Sequence, residues 1–463
     1  MRQSTRSEPQ SAKFASMFEQ EVVATFDASA LTSDAGLLAL GALDRKLKLT
    51  ERLCASLSDG RQAGKVSHTH HDLFRQRVYA VAAGYADGND ARSNRADPMF
   101  KAVCDRDPVS GRDLASQPTL SRFERSVGRR EVVEMGRAFE QERISSLARR
   151  NRGARRVVID MDATEDQAHG QQTFSFFNAF YDGHCFLPLL AFVSVPDDPE
   201  QVLFAARLRP GTGASHRGVI PLLRRAVAQL RREMPKARIL VRMDSGFVTP
   251  RLLSVLEELA VDYVLGLPGN SVLLRRSRRF VKGLRKQVQA TGLAARQFGE
   301  FSYAAGTWER ERRVVVKAEY LPPPARGGNG KIKRNLRCIV TNLKSSPRHV
   351  YEVDYCDRGD SENRIKELKE DLALGRTSST SFLANQLRVL TSATAFALYQ
   401  EMRWELRGTD LARAQTSTLR MRLVKIAGQL IRSTRRILVR LPKACPDAGT
   451  WCRLARRLGA APA

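Results

Sequence analysis

The sequence predicts an α/β fold: a mixed-sheet core with a β-rich insertion, flanked by helical N- and C-terminal regions. Three observations predict it. Residues 31 to about 150 place apolar side chains at helical spacing. At Arg155 the pattern changes to short apolar runs in the order strand, strand, strand, helix, strand, helix, strand. From about residue 380 helical spacing returns, now strongly basic: from Arg376 onward there are 16 Lys and Arg against 4 Asp and Glu.

In chain order, residues 1 to about 20 are polar and expected to be flexible. Leu37, Leu38, Leu40 and Leu43 fall near helical spacing, and Thr32-Ser33-Asp34 offers caps before them. Ser116 to Phe123 reads as a turn entering a short helix, which either inserts in a DNA groove or is structural. Arg156 to Asp162 is the first strand. Thr173–Tyr181 and Cys185–Val195 read as a hairpin about Asp182-Gly183-His184. His216–Glu233 is a helix, Arg238–Met243 a strand ending at Asp244-Ser245-Gly246, Arg251–Leu259 a helix and Val261–Leu265 a strand. The insertion spans about 267–345. It opens on a run, Ser271 to Lys286, with seven basic residues and no acid, and continues in strand-like runs Arg312–Tyr320 and Leu336–Val340. Pro322-Pro323-Pro324 and Gly327 to Gly330 read as a loop between those runs. Tyr351–Leu372 is a helix, and residues 380–440 also look helical.

Composition narrows the function. The 463 residues suffice for two or three domains with cores of their own. Lys and Arg number 77 against 49 Asp and Glu, a net charge of +28. Such an excess points to a polyanion, nucleic acid before a ribosome-associated or membrane-surface role. The longest apolar stretch, Phe186–Val195, holds a proline and is far short of the ~20 residues of a membrane span. Seven cysteines without a C-x-x-C pair suit reduced thiols in a cytoplasmic protein, not a disulfide framework or zinc site. His68, His70 and His71 have no partners at zinc spacing and read as a helix start.

Chemistry concentrates in three places. Alternation puts Val158, Asp160 and Asp162 on one face of the first strand, and two carboxylates in a buried strand need a partner or a cation. Asp244 ends another strand, where ligand groups sit in open α/β sheets, although a lone strand-end Asp also serves as a cap. Tyr355, Arg358, Glu362, Lys366 and Lys369 are spaced 3, 4, 4 and 3, which aligns them along one polar helix stripe. That stripe is either a solvated face or a surface that grips phosphate while Glu362 holds a hard cation.

Tyr355-x2-Arg358-x3-Glu362-x6-Lys369 resembles the Y-x2-R-x3-E-x6-K pattern of a group of bacterial insertion-sequence DDE transposases. Asp162-Ala163-Thr164 resembles that group's first carboxylate motif, and Asp244-Ser245-Gly246-Phe247 its second. Asp160 to Thr164, His169-Gly170-Gln171-Gln172 and Thr307-Trp308 are most similar to the insertion-sequence family called thirteen-eighty. The resemblance covers about residues 30–400. It implies an RNase H-like core over 151–375, a helical DNA-binding region over 1–150 and a basic helical region over 376–463. It implies that Asp162, Asp244 and Glu362 hold two Mg²⁺ or Mn²⁺ ions, with Asp160 the alternative first carboxylate. Asp162 is preferred because Thr164 follows it at the family's spacing. Three carboxylates can hold two such ions ~3.5–4 Å apart, and oxygen-only ligands favour them over zinc.

The resemblance further implies that Tyr355, Arg358 and Lys369 contact phosphates near the cut, with Lys366 on the same stripe. Trp308 either packs the insertion or stacks on a base flipped from a closing DNA end. The expected activity is cleavage of double-stranded DNA at terminal inverted repeats and joining to target DNA, by a dimer on DNA with no membrane partner, at the bacterial nucleoid. A basic DNA-binding protein without catalysis and an RNase H-like nuclease without strand transfer are the alternatives. End recognition is expected in residues 1–150 and the basic C-terminal region, with residues 155–375 able to fold without them.

Overall fold

The computed structural model describes residues 11–17, 19–212, 215–323 and 331–461. Apolar runs too short for helices, bounded by turn residues, become the strands of one sheet. These are β1 (Arg156–Ala163), β2 (Leu189–Ser194), β3 (Val202–Arg207), β4 (Arg238–Met243), β5 (Asp262–Leu267), β6 (Ala295–Tyr303), β7 (Arg312–Leu321) and β8 (Lys333–Thr341). Their spatial order is β6-β7-β8-β5-β4-β1-β2-β3. The central three, β1, β4 and β5, run parallel. β2 is antiparallel to β1 and to β3, and β8 is antiparallel to β5 and to β7, with β6 closing that edge.

β1 is buried from Val157 to Asp162, as expected for a strand covered on both faces. Its side chains alternate between two cores. Val157, Ile159 and Met161 pack with Leu222, Val227, Leu252 and Leu256 of the helices Val219–Glu233 and Pro250–Glu258. Val158 faces the other way, with Leu240, Val264, Ile339, Val350 and Tyr351. On that second face lies a continuous helical stretch from Pro347 to Glu370. It is not the uniform α-helix expected over Tyr351–Leu372. A wide π turn covers Val350–Tyr355 and a tight 3₁₀ turn Cys356–Arg358, before the α-helix Gly359–Glu370 begins. Such turns change the angle between successive side chains, so the stripe drawn at ideal spacing is bent at Arg358.

Several expected elements differ. Ser11–Met17 and Gln20–Thr25 form an exposed antiparallel pair where a flexible segment was expected; residues 1–10 and 18 lie outside the described residues. Thr32 does not cap the first helix, Leu37–Leu47, but pairs with Gly428 in a small sheet. That sheet also corrects the helical reading near the C-terminus: Gly428–Arg432 and Ile437–Arg440 are a hairpin, with Leu430 turned inward. The hairpin expected at Asp182-Gly183-His184 exists, but Gly183 already pairs with Asn178, so it belongs to the strand. Pro188, which cannot donate to a ladder, separates that hairpin from β2. β3 and β6 were not expected. The insertion contains two helices, Ser271–Val281 and Leu284–Thr291, and its strands extend the main sheet instead of forming one of their own. Pro322 and Pro323 have no regular structure, while residues 324–330 lie outside the described residues.

The helix Phe382–Glu405 organises the rest. It is buried along most of its length, packed on the helices His70–Ala82, Gln117–Ser126 and Arg129–Arg150 and on β3. Most of its buried polar residues are committed. Gln400 accepts from the Leu203 amide (3.1 Å) and donates to Gln201 O (2.7 Å), and Glu401 receives Arg143 at 2.5 Å. Arg403 pairs with Glu367 of the helix Gly359–Glu370. A 155–375 fragment would lack the helix that covers one face of β3 and the Arg403 partner of Glu367, which would keep only Arg364.

Candidate active site

Asp162 and Asp244 meet because of strand register. Met161 of β1 is paired with Met243 of β4, so the next residue of each parallel strand lies beside the other at the carboxyl ends. Asp162 is 8% exposed. One oxygen accepts from the Ala163 amide (2.9 Å) and the other from Arg358 Nη1 (2.6 Å). Burial pushes its carboxyl up to about 6; Arg358 opposes the rise and the nearby Asp244 adds to it. Asp244 caps the tight turn Ser245–Phe247 by accepting from the Gly246 amide at 2.9 Å.

Glu362 projects from the first turn of the helix Gly359–Glu370, with its side chain 62% exposed. Arg358 ties it to the strand carboxylate: Nη2 donates to Glu362 Oε1 at 3.0 Å while Nη1 holds Asp162. One guanidinium thus spans two of the three candidate carboxylates, reaching Asp162 from 196 residues later in the chain. Tyr355 approaches the second. A Cβ on Gly266 would lie 2.8 Å from the Tyr355 hydroxyl and 2.7 Å from the Ser245 nitrogen, so glycine is what admits the ring beside the Asp244 turn. Burial raises the Tyr355 phenol, opposed by Arg358, which keeps it a neutral hydrogen-bond donor. Lys369 Nζ donates to Glu165 O at 2.9 Å, beside the loop after β1, and Lys366 is exposed.

Asp160, the other aspartate of β1, is placed very differently. It is fully buried and faces Arg242 across the β1–β4 pair. Arg242 donates to both its oxygens, at 2.7 and 2.8 Å, and Gln201 adds a bond of 2.7 Å. Its carboxylate is satisfied within the protein and is not free to receive a ligand.

The donor chemistry of Asp162, Asp244 and Glu362, all hard oxygen, fits a divalent cation such as Mg²⁺ or Mn²⁺. The Arg358 guanidinium stands in for positive charge between two of them. Among the described residues no three His, Cys, Asp or Glu side chains are already gathered as a metal cage. The histidines have separate tasks: Thr69 caps the helix His70–Ala82, His71 contacts Thr50 (3.0 Å) and His68 contacts Arg106 (3.0 Å).

Trp308 is the residue the structure moves away from the site. It lies in the turn between β6 and β7. Counting along the registers, the row of Asp244 passes through Gly266, Ile339, Val315 and Glu300, and Trp308 follows Tyr303 on the side away from the carboxylate end. It is half-buried, edge-on to Tyr303 (5.5 Å) and under Arg312 (5.3 Å). Of the two readings the sequence leaves open, that position favours packing. Trp308→Ala is expected to cost about 1–3 kcal/mol, less than a fully buried Trp, and to leave second-strand cleavage unchanged. Thermal unfolding and product mapping check it; a stable variant stalled at the nick would restore the DNA role.

Two neighbours of the site went unread in the sequence. Tyr181, in the small hairpin, has its phenol raised by burial and by Glu165, Asp162 and Asp244. Arg209 is 5% exposed and donates to Leu187 O (2.7 Å) and Ser215 O (2.5 Å); burial pulls it down to about 10, against Tyr181 and Asp244. Neither lies in a run of residues with a recognisable period, so only the fold brings them near Asp244.

Among the described residues no helix is long and apolar enough to cross a membrane. A family model described as transposase DDE domain, group 1, matches residues 14–463. No curated protein matches the chain.

Proposed function

The chain belongs to the transposase DDE domain group 1 family, whose members are enzymes acting on DNA, and on that premise we propose that it is an insertion-sequence transposase of the Y-x2-R-x3-E-x6-K group, thirteen-eighty family, with an RNase H-like core. It cleaves double-stranded DNA at the terminal inverted repeats of its element and transfers the freed 3′ ends to target DNA. Asp162, Asp244 and Glu362 would hold two Mg²⁺ or Mn²⁺ ions, which when bound supply an activated oxygen nucleophile and a Lewis acid for the leaving oxygen. The observation that carries this reading is the Arg358 clasp, which draws the strand carboxylate Asp162 and the helix carboxylate Glu362 to one cation beside Asp244.

The remaining roles belong to the chain's own groups. Tyr355, a half-buried neutral phenol, donates a hydrogen bond to a phosphate oxygen at the mouth of the site. Arg358 supplies a planar fork suited to phosphate as well as carboxylate. Lys366 and Lys369 extend positive charge along the helix. Two copies on DNA would bring two ends together at the bacterial nucleoid. The central region 151–375, with its insertion over about 267–345, is assigned the chemistry, and residues 1–150 and 376–463 the recognition of ends.

Incubating the purified protein with its element's end sequences and Mg²⁺, and mapping the products, tests the proposal. Cut and joined strands are expected. Cutting without joining would make it a nuclease, and binding without cutting a DNA-binding protein.

End recognition has a specific candidate. The helix Gln117–Ser126 buries Leu120 and Phe123 and anchors Glu124 to Arg388 at 2.7 Å. Arg122 and Arg125 stay exposed with no ion-pair partner among the described residues. Replacing both by alanine is expected to relax discrimination between end and scrambled DNA by about 1–3 kcal/mol per lost base contact. Gel-shift competition reads it, and undiminished discrimination would leave this helix structural.

A further inference from the structure

The insertion carries a surface that the candidate site does not use. The helices Ser271–Val281 and Leu284–Thr291 lie on one face of β6 and β7. Leu273 packs with Tyr303, Val314, Val316 and Cys338, and Leu284 and Val288 pack with Ala295 and Ala318. Their outer side is basic. Between 271 and 286 there are seven Lys and Arg and no acid. Two are tied down: Arg279 donates to Glu300 O (2.9 Å) and stacks on Phe280 (4.6 Å), and Arg276 binds Ser302 O. Arg275, Arg278, Lys282, Arg285 and Lys286 are exposed, and none has an ion-pair partner among the described residues.

A basic face alone is often only solvated, so its position decides the matter. β5 ends at Leu267, paired with Cys338. From there β8 continues back through Arg337 to Lys333, β7 on to Leu321 and β6 back to Ala295. At ~3.3 Å per residue these strands overhang the carboxylate end of the sheet by roughly 17 Å. The first helix runs beside the body of the sheet, from Leu273 against Tyr303, Val314 and Val316 to Arg279 on Glu300 O in the row of Asp244, and the second lies along the overhang, with Val288 against Ala295 and Ala318. Arg278, Lys282, Arg285 and Lys286 therefore flank the end of the sheet where Asp162 and Asp244 sit, on the face opposite the Pro347–Glu370 stretch. The first helix, 11 residues, is ~16 Å long, against one phosphate charge per ≈ 1.7 Å of duplex axis.

We propose that this face is a sequence-independent track for the sugar-phosphate backbone of the duplex that continues beyond the cleavage point. The inference rests on the reading of the chain as a DNA-cutting enzyme, and it adds a third contact surface to the two terminal regions assigned to end recognition. Its cations engage phosphates and read no bases, so they set affinity and salt dependence, not preference.

The test uses the full chain with Arg275→Ala, Arg278→Ala, Lys282→Ala and Arg285→Ala combined, exposed positions of which 275, 278 and 285 are helical, where Ala is well tolerated. Binding is measured against salt on two duplexes with the same end sequence. One ends a few base pairs beyond the cleavage point, so that the bond to be cut is present, and the other continues for several helical turns. On the long duplex the slope of log affinity against log salt is expected to fall by about 3–4, at ~0.9 per lost phosphate contact. On the short duplex the slope and the cleavage rate stay unchanged, and so does the melting temperature. An unchanged slope on the long duplex overturns the proposal, as does an equal fall on both. Loss of binding to anionic lipid vesicles with DNA binding intact assigns the face to a membrane surface and overturns it as well. Failure of the unaltered protein to cut the short duplex would sink the enzymatic reading instead, and the difference in slopes reports on the track separately.

Discussion

Removing any one of Asp162, Asp244 or Glu362 is expected to abolish strand cleavage while leaving affinity for end DNA within a few-fold. The carboxylates would serve the cation, whereas affinity comes from Lys and Arg, present in an excess of +28. A rate loss on the order of 10³ or more corresponds to over 4 kcal/mol of transition-state stabilisation. The choice of substitution matters at each position. Asp244 caps a turn through the Gly246 amide, and losing a cap costs ~0.5–2 kcal/mol, so Asp244→Asn separates chemistry from folding better than alanine. Glu362 is largely exposed, so Glu362→Gln leaves the helix undisturbed. Asp162→Asn keeps the shape and one acceptor, which can serve the Ala163 amide or Arg358 but not both, so its melting temperature is compared as well. Cleavage rates and gel shifts on the same preparations give the result. Near-unaltered cutting by any one of the three would remove that residue from the proposed site.

Asp160→Ala is expected to act on stability instead, by about 3–5 kcal/mol, because it strands the buried Arg242 without its bidentate partner. From the sequence alone a milder effect at Asp160 is expected, since nothing local shows what it touches. The decisive variant replaces both partners, Asp160→Leu with Arg242→Met, because exchanging a whole buried pair for apolar residues is often neutral. The double variant is expected to recover most of the melting temperature and to cut DNA. A folded double variant that cannot cut would make Asp160 the first carboxylate and reverse its assignment relative to Asp162.

The two aspartates show where legibility stops. That both lie on one face of β1 follows from alternation, a property of the strand itself. That one is neutralised by Arg242 and the other bonded to Arg358 depends on the register of β4 and on how a helix nearly 200 residues later crosses the sheet. An arginine inside the apolar run Ile239 to Met243 is a visible anomaly that could have flagged the pair, but without the register it has no address.

By itself the sequence determined the local structure and the residue types of the site. The alternating or continuous apolar runs of β1, β4, β5 and β7, the helices Val219–Glu233 and Pro250–Glu258, and the polar group Tyr355, Arg358, Glu362, Lys366 and Lys369 are legible because period and polarity are properties of neighbours in the chain. Only the tertiary structure decided what depends on burial between distant segments. It joined the insertion's strands to the main sheet and made Phe382–Glu405 the buried hub of both halves. It replaced the first part of the expected helix by a π turn and a 3₁₀ turn, put Trp308 at the far end, and turned Gly428–Arg432 and Ile437–Arg440 into strands beside Leu31–Thr32. Those outcomes are set by which apolar faces find each other and which buried charges find partners, contacts whose free energy is realised only when residues hundreds apart are brought together.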